Sequence, residues 1–167
     1  FYDQPSFYEC FEMYDKRDGG FPRITFDERH PDIFVDYLAI NPQTPYFGGP
    51  VAVLVNPATI SSGEGPAMCL SRLPQGRVIG FHGTNGSFGM VGGAIMMPKG
   101  YKIGYPYGRS VGKNGVIQLD SRNGVGGVAP DPRVPKTAEN VVAFGAGMGV
   151  ERNDAIHYLK EWGTPHR

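Results

Sequence analysis

The sequence predicts an α/β fold with a mixed sheet, in which two parallel strands are connected through a helix. Residues 51–55, VAVLV, are a continuous apolar run bounded by turn residues, which is typical of a strand buried on both faces. Residues 66–73, PAMCLSRL, carry apolar residues at helical spacing and end at Pro74. Residues 77–81, RVIGF, suit a second strand, and a strand-helix-strand unit favours parallel pairing. We therefore expect a sheet with helices on its sides.

Short apolar runs after this unit predict an antiparallel meander. The runs AIMMP (94–98), YKIGYP (101–106) and GVIQLD (115–120) are separated by glycine-containing turns at 99–100 and 113–115. We expect each run to form a strand that pairs with its neighbour.

The two ends of the chain have different patterns. Residues 1–47 are rich in aromatic residues and prolines, and we expect an irregular lead-in where only FPRITF (21–26) and DIFVDYLAI (32–40) suit strands or a short helix. The C-terminal run ERNDAIHYLKEW (151–162) has helical periodicity and closes at Gly163. The predicted inner face of this helix consists of Ala155, Tyr158, Leu159 and Trp162.

Length and charge limit the classes of function. The 167 residues suit a single domain, with residues 48–167 as its core. Lys plus Arg equals Asp plus Glu at 16 each, so the formal net charge is zero and no nucleic-acid partner is indicated. No apolar run approaches the ~20 residues that cross a bilayer, so no membrane span is expected. The first residues also lack the basic and apolar regions of a signal peptide.

The sequence indicates no cofactor. Cys10 and Cys69 are the two cysteines, and without a CxxC or a Cys/His cluster they do not predict a zinc site. A disulfide between them is left open, although Cys69 falls in a segment that suits a buried helix. The glycine-rich loop GTNGSFGMVGG (83–93) lacks the GK[ST] ending of a phosphate-binding loop, so nucleotide binding is not indicated.

The segment with the most chemical potential is TISSGEG (59–65), because it lies where the first strand passes into the helix. Backbone N–H groups at a helix start carry partial positive charge, so a hydroxyl there can attack a carbonyl whose oxyanion the same amides receive. The alternative is structural: Ser61 or Ser62 caps the helix, with Glu64 as its capping-box partner. The two interpretations are compatible. The GxSxG elbow of α/β-hydrolases is absent from the sequence.

Three motifs in order carry a resemblance to a known family. The stretch GGPVAVLVNPATISSGEGPAMCLSRLPQGRVIGFHGTNGSFG (48–89) resembles the core of tail-specific (carboxy-terminal processing) and tricorn-like serine peptidases, where a "GPVAVLVN" strand leads into a serine followed by an acidic residue. GRVIG (76–80) and SFG (87–89) are similar to the family's next strand and loop, and GGVAPDPRVPKTAEN (126–140) to its closing segment. The resemblance covers roughly residues 46–160.

This resemblance implies a fold and a mechanism. The fold would be the crotonase/ClpP-like superhelix of strand-strand-helix turns, with the chain as its C-terminal part. Ser61 would be the nucleophile of proteolysis through an acyl-enzyme, the Ser62 amide would be one oxyanion donor, and a polypeptide would be the substrate. The histidine base and a second donor, a glycine, would precede Phe1, so we expect the chain alone to be inactive. Relatives often work outside the cytoplasm.

The resemblance also raises the question of the general base. In the tail-specific branch a lysine in the "FGKG" loop deprotonates the serine, but here Phe88-Gly89 is followed by Met90, so a Ser-Lys dyad is not expected. In the tricorn branch a late glutamate contributes, and Asp120 is the nearest acid to that position. His82, just after a strand, is a local candidate base or an exposed loop histidine. The remaining histidines, expected to be structural or exposed, are His30, His157 and His166.

Two other functions remain open. The chain could be a non-catalytic domain that retains the peptidase fold to bind a peptide or another ligand. It could also be an esterase outside the peptidase family, which would need His82 as its base. Labelling of Ser61 by a fluorophosphonate distinguishes catalysis from binding.

Overall fold

The computed structural model describes residues 1–23, 26–27, 30–34, 37–88, 92–120 and 127–162. These residues form nine strands and three α-helices, so the fold contains both element types, as predicted. The predicted mixed sheet is wrong for the described residues, because the one parallel pair of strands forms a sheet of its own and the other sheets are antiparallel. The strands are β1 (Ser6–Met13), β2 (Phe26–Asp27), β3 (His30–Phe34), β4 (Leu38–Ile40), β5 (Val51–Leu54), β6 (Gly76–Ile79), β7 (Gly92–Met96), β8 (Lys102–Pro106) and β9 (Gly108–Val111). The helices are α1 (Glu64–Ser71), α2 (Ala138–Gly145) and α3 (Val150–Glu161).

The predicted strand-helix-strand unit is confirmed. Strands β5 and β6 pair in parallel, with Val51 opposite Gly76 and Leu54 opposite Ile79, and α1 connects them. Helix α1 packs on one face of the pair, where its buried Ala67 belongs to the same core cluster as Val78. Helix α3 packs on the other face through a second cluster. The unit therefore has helices on both sides of its sheet, as expected.

One detail of this prediction is wrong. Leu54, at the end of β5, is 49% exposed, and the three residues before it are only partly buried. Within the described residues β5 pairs with β6 alone, so one of its edges has no neighbouring strand to cover it. The continuous apolar run therefore does not give burial on both faces along its whole length.

The meander prediction is correct for two of its three runs. Strands β7 and β8 pair antiparallel around a turn at Pro98–Gly100, where Lys99 has a left-handed φ of 64°. GVIQLD, in contrast, forms no strand, and only a single bridge joins Ile117 to Val111. Backbone bonds from Gln118 N to Ser110 O (3.2 Å) and from Gly112 N to Val116 O (2.8 Å) accompany this bridge. Side chains add to them, because the Gln118 amide donates to Tyr8 O (3.1 Å) and accepts from the Arg72 guanidinium (2.6 Å).

The irregular lead-in predicted for residues 1–47 is wrong, because β1 is the central strand of a three-stranded sheet. It pairs antiparallel with β4 on one side and with β9 on the other. The sequence of β1 contains Glu9 and Glu12, and glutamate is depleted in strands. Both are buried, and Glu12 accepts a charge-assisted hydrogen bond of 2.8 Å from Arg109 in β9. A partner almost a hundred residues away thus stabilises this strand.

The C-terminal helix is confirmed, but its inner face is narrower than predicted. Ala155 is buried and Tyr158 packs beside it, whereas Leu159 is exposed. Trp162 has an extended backbone beyond the end of α3 and is also exposed. The predicted stop at Gly163 lies outside the described residues. Helix α2 was not predicted, and it begins where Thr137 Oγ1 accepts from Asn140 N at 3.1 Å.

Within the described ranges, no helix has both the length and the apolar character needed to cross a membrane. That the whole chain is one domain stays a prediction.

The two cysteines are free thiols, so the disulfide left open by the sequence is not formed. Cys10 is 2% exposed and Cys69, in α1, is 7% exposed. Burial raises the pKa of the Cys69 thiol because it disfavours the thiolate, and this outweighs the lowering effect of the nearby Arg72 charge.

We therefore expect both thiols to react slowly in the native protein. Ellman's reagent should titrate neither cysteine rapidly at pH 8, because both are buried and burial also disfavours the Cys69 thiolate. In guanidinium chloride both should react rapidly. The unfolded chain loses the Cys69 proton near pH 8.5, below the pKa of the folded state, so this thiol should lower the free energy of unfolding as the pH rises above about 8.5. Rapid native reaction of both thiols would contradict this.

Candidate functional site

Ser61 lies on the turn that carries the chain from β5 into α1. After Leu54 the chain bends through 56–59, where Thr59 N donates to Asn56 O at 2.9 Å, and a single 3-10 turn at Ser61–Gly63 leads into α1. Ser61 is exposed and has a left-handed φ of 52°. This backbone region is uncommon for a residue other than glycine, and it is found at sharp strand-to-helix turns that present a nucleophilic serine.

The backbone amide of Ser62 lies at the start of the same turn, where helices have N–H groups without an intrahelical partner. Gly63 N donates to Ile60 O at 2.9 Å, and this bond closes the first turn. The amide of Ser62 precedes it, at the position where a helix leaves its N–H groups without an intrahelical acceptor. Ser62 is an exposed residue next to Ser61. The arrangement has a hydroxyl and a neighbouring donor at the start of a helix.

The structural alternative, a serine cap, is only half realised. Neither the 3-10 turn nor α1 has a side-chain hydrogen bond at its N-cap, so the two serine hydroxyls do not cap it. Glu64 does reach back, and its Oε1 accepts from Ser61 N at 3.2 Å. This contact corresponds to the glutamate half of a capping box.

Glu64 is the centre of a buried hydrogen-bond network. Its side chain has no solvent exposure, yet it is an acidic residue in the first turn of α1. Besides Ser61 N, its oxygens accept from Thr84 Oγ1 (2.7 Å), Gly86 N (2.7 Å) and Ser87 N (2.8 Å). The glycine-rich loop after β6 is thereby tied to the serine turn.

A third segment closes this network. Thr84 Oγ1, which donates to Glu64, also accepts from Val128 N at 2.7 Å. At Gly127 a Cβ atom would overlap both Glu64 Oε2 and Thr84 Oγ1. Only glycine lets the backbone approach the carboxylate this closely.

The two candidate bases within the chain are His82 and Asp120. The side chain that bonds the Ser61 amide in the structure is that of Glu64. His82 is exposed and lines a pocket of about 250 Å³ with Phe81, Phe144 and Lys136. Asp120 is half-buried beside Leu119, which belongs to the core cluster under α1.

The other predicted positions give less information. His157 is 74% exposed and pairs with Glu161 at 3.1 Å, in agreement with an exposed role. The side chain of His30 lies outside the described part of the structure, and so do His166, Gly89 and Met90. The absence of a lysine after Phe88-Gly89 therefore stays a fact of the sequence alone.

Sequence reasoning did not find the partners of Glu64. Glu64 itself was recognisable three residues after Ser61, as a capping partner. Its partners lie 20 or more residues later in the chain, at Thr84, Gly86 and Ser87. The glycine-rich composition of that loop predicts turns but no particular contact. The sequence held no local signal for their contact with Glu64.

Comparisons with solved structures found similar chains. The crystal structure of "a putative peptidase from Parabacteroides merdae ATCC 43184" aligns with 95% of this chain and 44% of that chain, with a TM-score of 0.64 and 18% sequence identity. A lipoprotein from Streptococcus agalactiae aligns with 93% of this chain and 45% of that chain, with a TM-score of 0.48 and 16% identity. No protein-family model and no curated protein match the chain.

The first of these similarities shows a shared fold. At 18% identity it does not transfer a mechanism, and the chain spans less than half the length of both solved proteins. The chain therefore has a mixed α/β fold like that of the Parabacteroides merdae protein.

Proposed function

We propose that this chain forms the nucleophile-bearing part of a serine peptidase of the tail-specific and tricorn-like type. The observation that supports this best is the backbone of Ser61, an exposed serine with φ of 52° where a strand passes into a helix. Peptidase action also agrees with the fold shared with the Parabacteroides merdae protein. The finer architecture belongs to the proposal as well: a crotonase/ClpP-like superhelix, of which this chain supplies the C-terminal part.

In the proposed reaction Ser61 Oγ attacks the carbonyl carbon of a peptide bond. A bond forms between Oγ and carbon, the carbonyl oxygen becomes an oxyanion, and the Ser62 N–H donates to it. The serine proton passes to a base and then to the departing amine, and water releases the acyl group from Ser61. The base is a histidine upstream of Phe1, as the family resemblance implies, and an upstream glycine is the second oxyanion donor.

Active-site labelling tests this proposal. The intact protein is incubated with a fluorophosphonate, which phosphonylates an activated serine, and peptide mapping locates the adduct. We expect the adduct on Ser61 and none in Ser61→Ala. The matched control Ser62→Ala should still be labelled, because the reaction uses only its backbone amide.

Two results would overturn parts of this proposal: the first would exclude catalysis, and the second would exclude the upstream base. Absence of labelling in the intact protein, together with binding of an unstructured peptide, would favour the non-catalytic binding domain. Labelling of the 167-residue chain alone at an undiminished rate would show that no upstream base is needed, and His82 would then be the residue to replace.

A further inference from the structure

We propose that Glu64 is a positioning residue, whose buried carboxylate fixes the backbone of Ser61 and attaches the serine turn to the glycine-rich loop. The inference rests on the proposed function in one respect, that Ser61 is the reacting group. The family resemblance places an acidic residue near the serine but gives it no such role.

The two oxygens of Glu64 have separate partners. Oε1 accepts hydrogen bonds from Ser61 N at 3.2 Å and from Ser87 N at 2.8 Å, and a third from the Ser87 hydroxyl at 3.3 Å. Oε2 accepts from Thr84 Oγ1 and Gly86 N, each at 2.7 Å. Each oxygen therefore bonds at least one backbone amide of the loop, and Oε1 alone holds the amide of the serine turn.

Such a network is specific for a carboxylate. Complete burial of an acidic side chain is costly unless hydrogen bonds replace its water, and here every partner is a donor. An amide side chain of the same shape would present an NH2 group to a backbone N–H at one of the two oxygen positions. The site thus discriminates between Glu and Gln, which differ little in volume.

The hydrogen bond to Ser61 N acts on a backbone in a disfavoured conformation. Residues other than glycine avoid the left-handed region unless the surrounding contacts hold them there. The Glu64 carboxylate supplies that contact from three residues away, and it is itself fixed by the loop 84–87 and, through Thr84, by Val128. Removal of this acceptor should let the turn relax and change the direction of the Ser61 hydroxyl.

Glu64→Gln tests the inference, with Glu139→Gln as the matched control. Glu139 is also in the first turn of its helix but is exposed. In Glu64→Gln we expect amide hydrogen exchange of Ser61, Gly86 and Ser87 to accelerate at least tenfold, and the three-bond coupling that reports the φ of Ser61 to change. Fluorophosphonate labelling of the intact protein should slow at least tenfold. Glu139→Gln should leave all three unchanged.

A second variant covers the case in which Glu64→Gln does not fold. Glu64→Asp keeps both acceptor oxygens but shortens the side chain by one methylene. Its amide exchange rates at Ser61, Gly86 and Ser87 should therefore lie between those of the wild type and those expected for Glu64→Gln. Unchanged Ser61 exchange and coupling in a folded Glu64 variant would overturn the inference. If the wild type is not labelled at all, the proposed function fails, whereas the exchange measurements still decide whether Glu64 positions Ser61.

Discussion

The intact protein with Ser61→Ala is expected to cleave an unstructured polypeptide at about a thousandth of the wild-type rate or less. Loss of a nucleophile that acts through an acyl-enzyme commonly removes this much, and a thousandfold corresponds to about 4 kcal/mol of transition-state stabilisation. Ser61 is exposed and makes its hydrogen bond to Glu64 through the backbone, so the substitution should not unfold the protein. Initial rates on a fluorogenic peptide or on casein provide the measurement.

The neighbouring serine gives the control for this experiment. Ser62→Ala removes an equally exposed hydroxyl from the same turn but keeps the backbone N–H that the mechanism uses. It should retain activity within about tenfold, since side-chain loss at an exposed position usually has a small effect. Equal loss of activity in both variants would point to a damaged turn, and undiminished activity in Ser61→Ala would exclude it as the nucleophile.

Gly76→Ala is expected to lower the free energy of unfolding by about 3 kcal/mol or to prevent folding. Gly76 is the first residue of β6, where the chain returns from α1 into the parallel pair. A Cβ atom there would overlap the backbone carbonyl oxygen of Leu70 and lie 3.3 Å from the carbonyl oxygen of Leu73. Backbone atoms cannot move aside as a flexible side chain can, so the cost lies at the upper end of overpacking effects. Urea unfolding followed by circular dichroism measures it.

Gly145→Ala is the matched control, because it makes the same change at a position with space. Gly145 is the last residue of α2, and apart from its chain neighbours and the backbone of its own helix no atom lies within 4 Å of the place that the added methyl group would take. Its effect should stay within about 0.5 kcal/mol. A Gly76→Ala protein as stable as Gly145→Ala would mean that α1 and β6 are not packed as closely as the structure shows.

The parts of the fold that sequence predicted are local. Strands β5 and β6 and helix α1 follow each other within 29 residues, from Val51 to Ile79. Each has an apolar pattern that is bounded by adjacent turn residues. Their order alone favours the parallel pairing that the structure has. The turn that carries Ser61 was predictable for the same reason.

Strand β1 was missed because its pattern makes sense only with its partners present. In the sequence, Glu9 and Glu12 indicate that this segment is not a buried strand. In the structure both are buried, and Arg109 of β9 donates a hydrogen bond to Glu12. The opposite error occurred at GVIQLD, whose apolar pattern suits a strand. In the structure it makes a single bridge to Val111, and the side chains of Arg72 and Gln118 connect it to distant parts of the chain. Both errors arise from contacts between residues far apart in the sequence.

By itself, the sequence determined that a serine follows a β-strand and precedes a helix, since apolar periodicity and turn residues act over a few neighbouring positions. Only the tertiary structure decided how that serine is held. The left-handed conformation of Ser61 coincides with a hydrogen bond to a buried carboxylate, and the donors that fix this carboxylate come from the loop at 84–87. The physical reason is that a buried carboxylate is stable only when hydrogen-bond donors replace its water, and here the fold brings those donors from a distant segment of the chain.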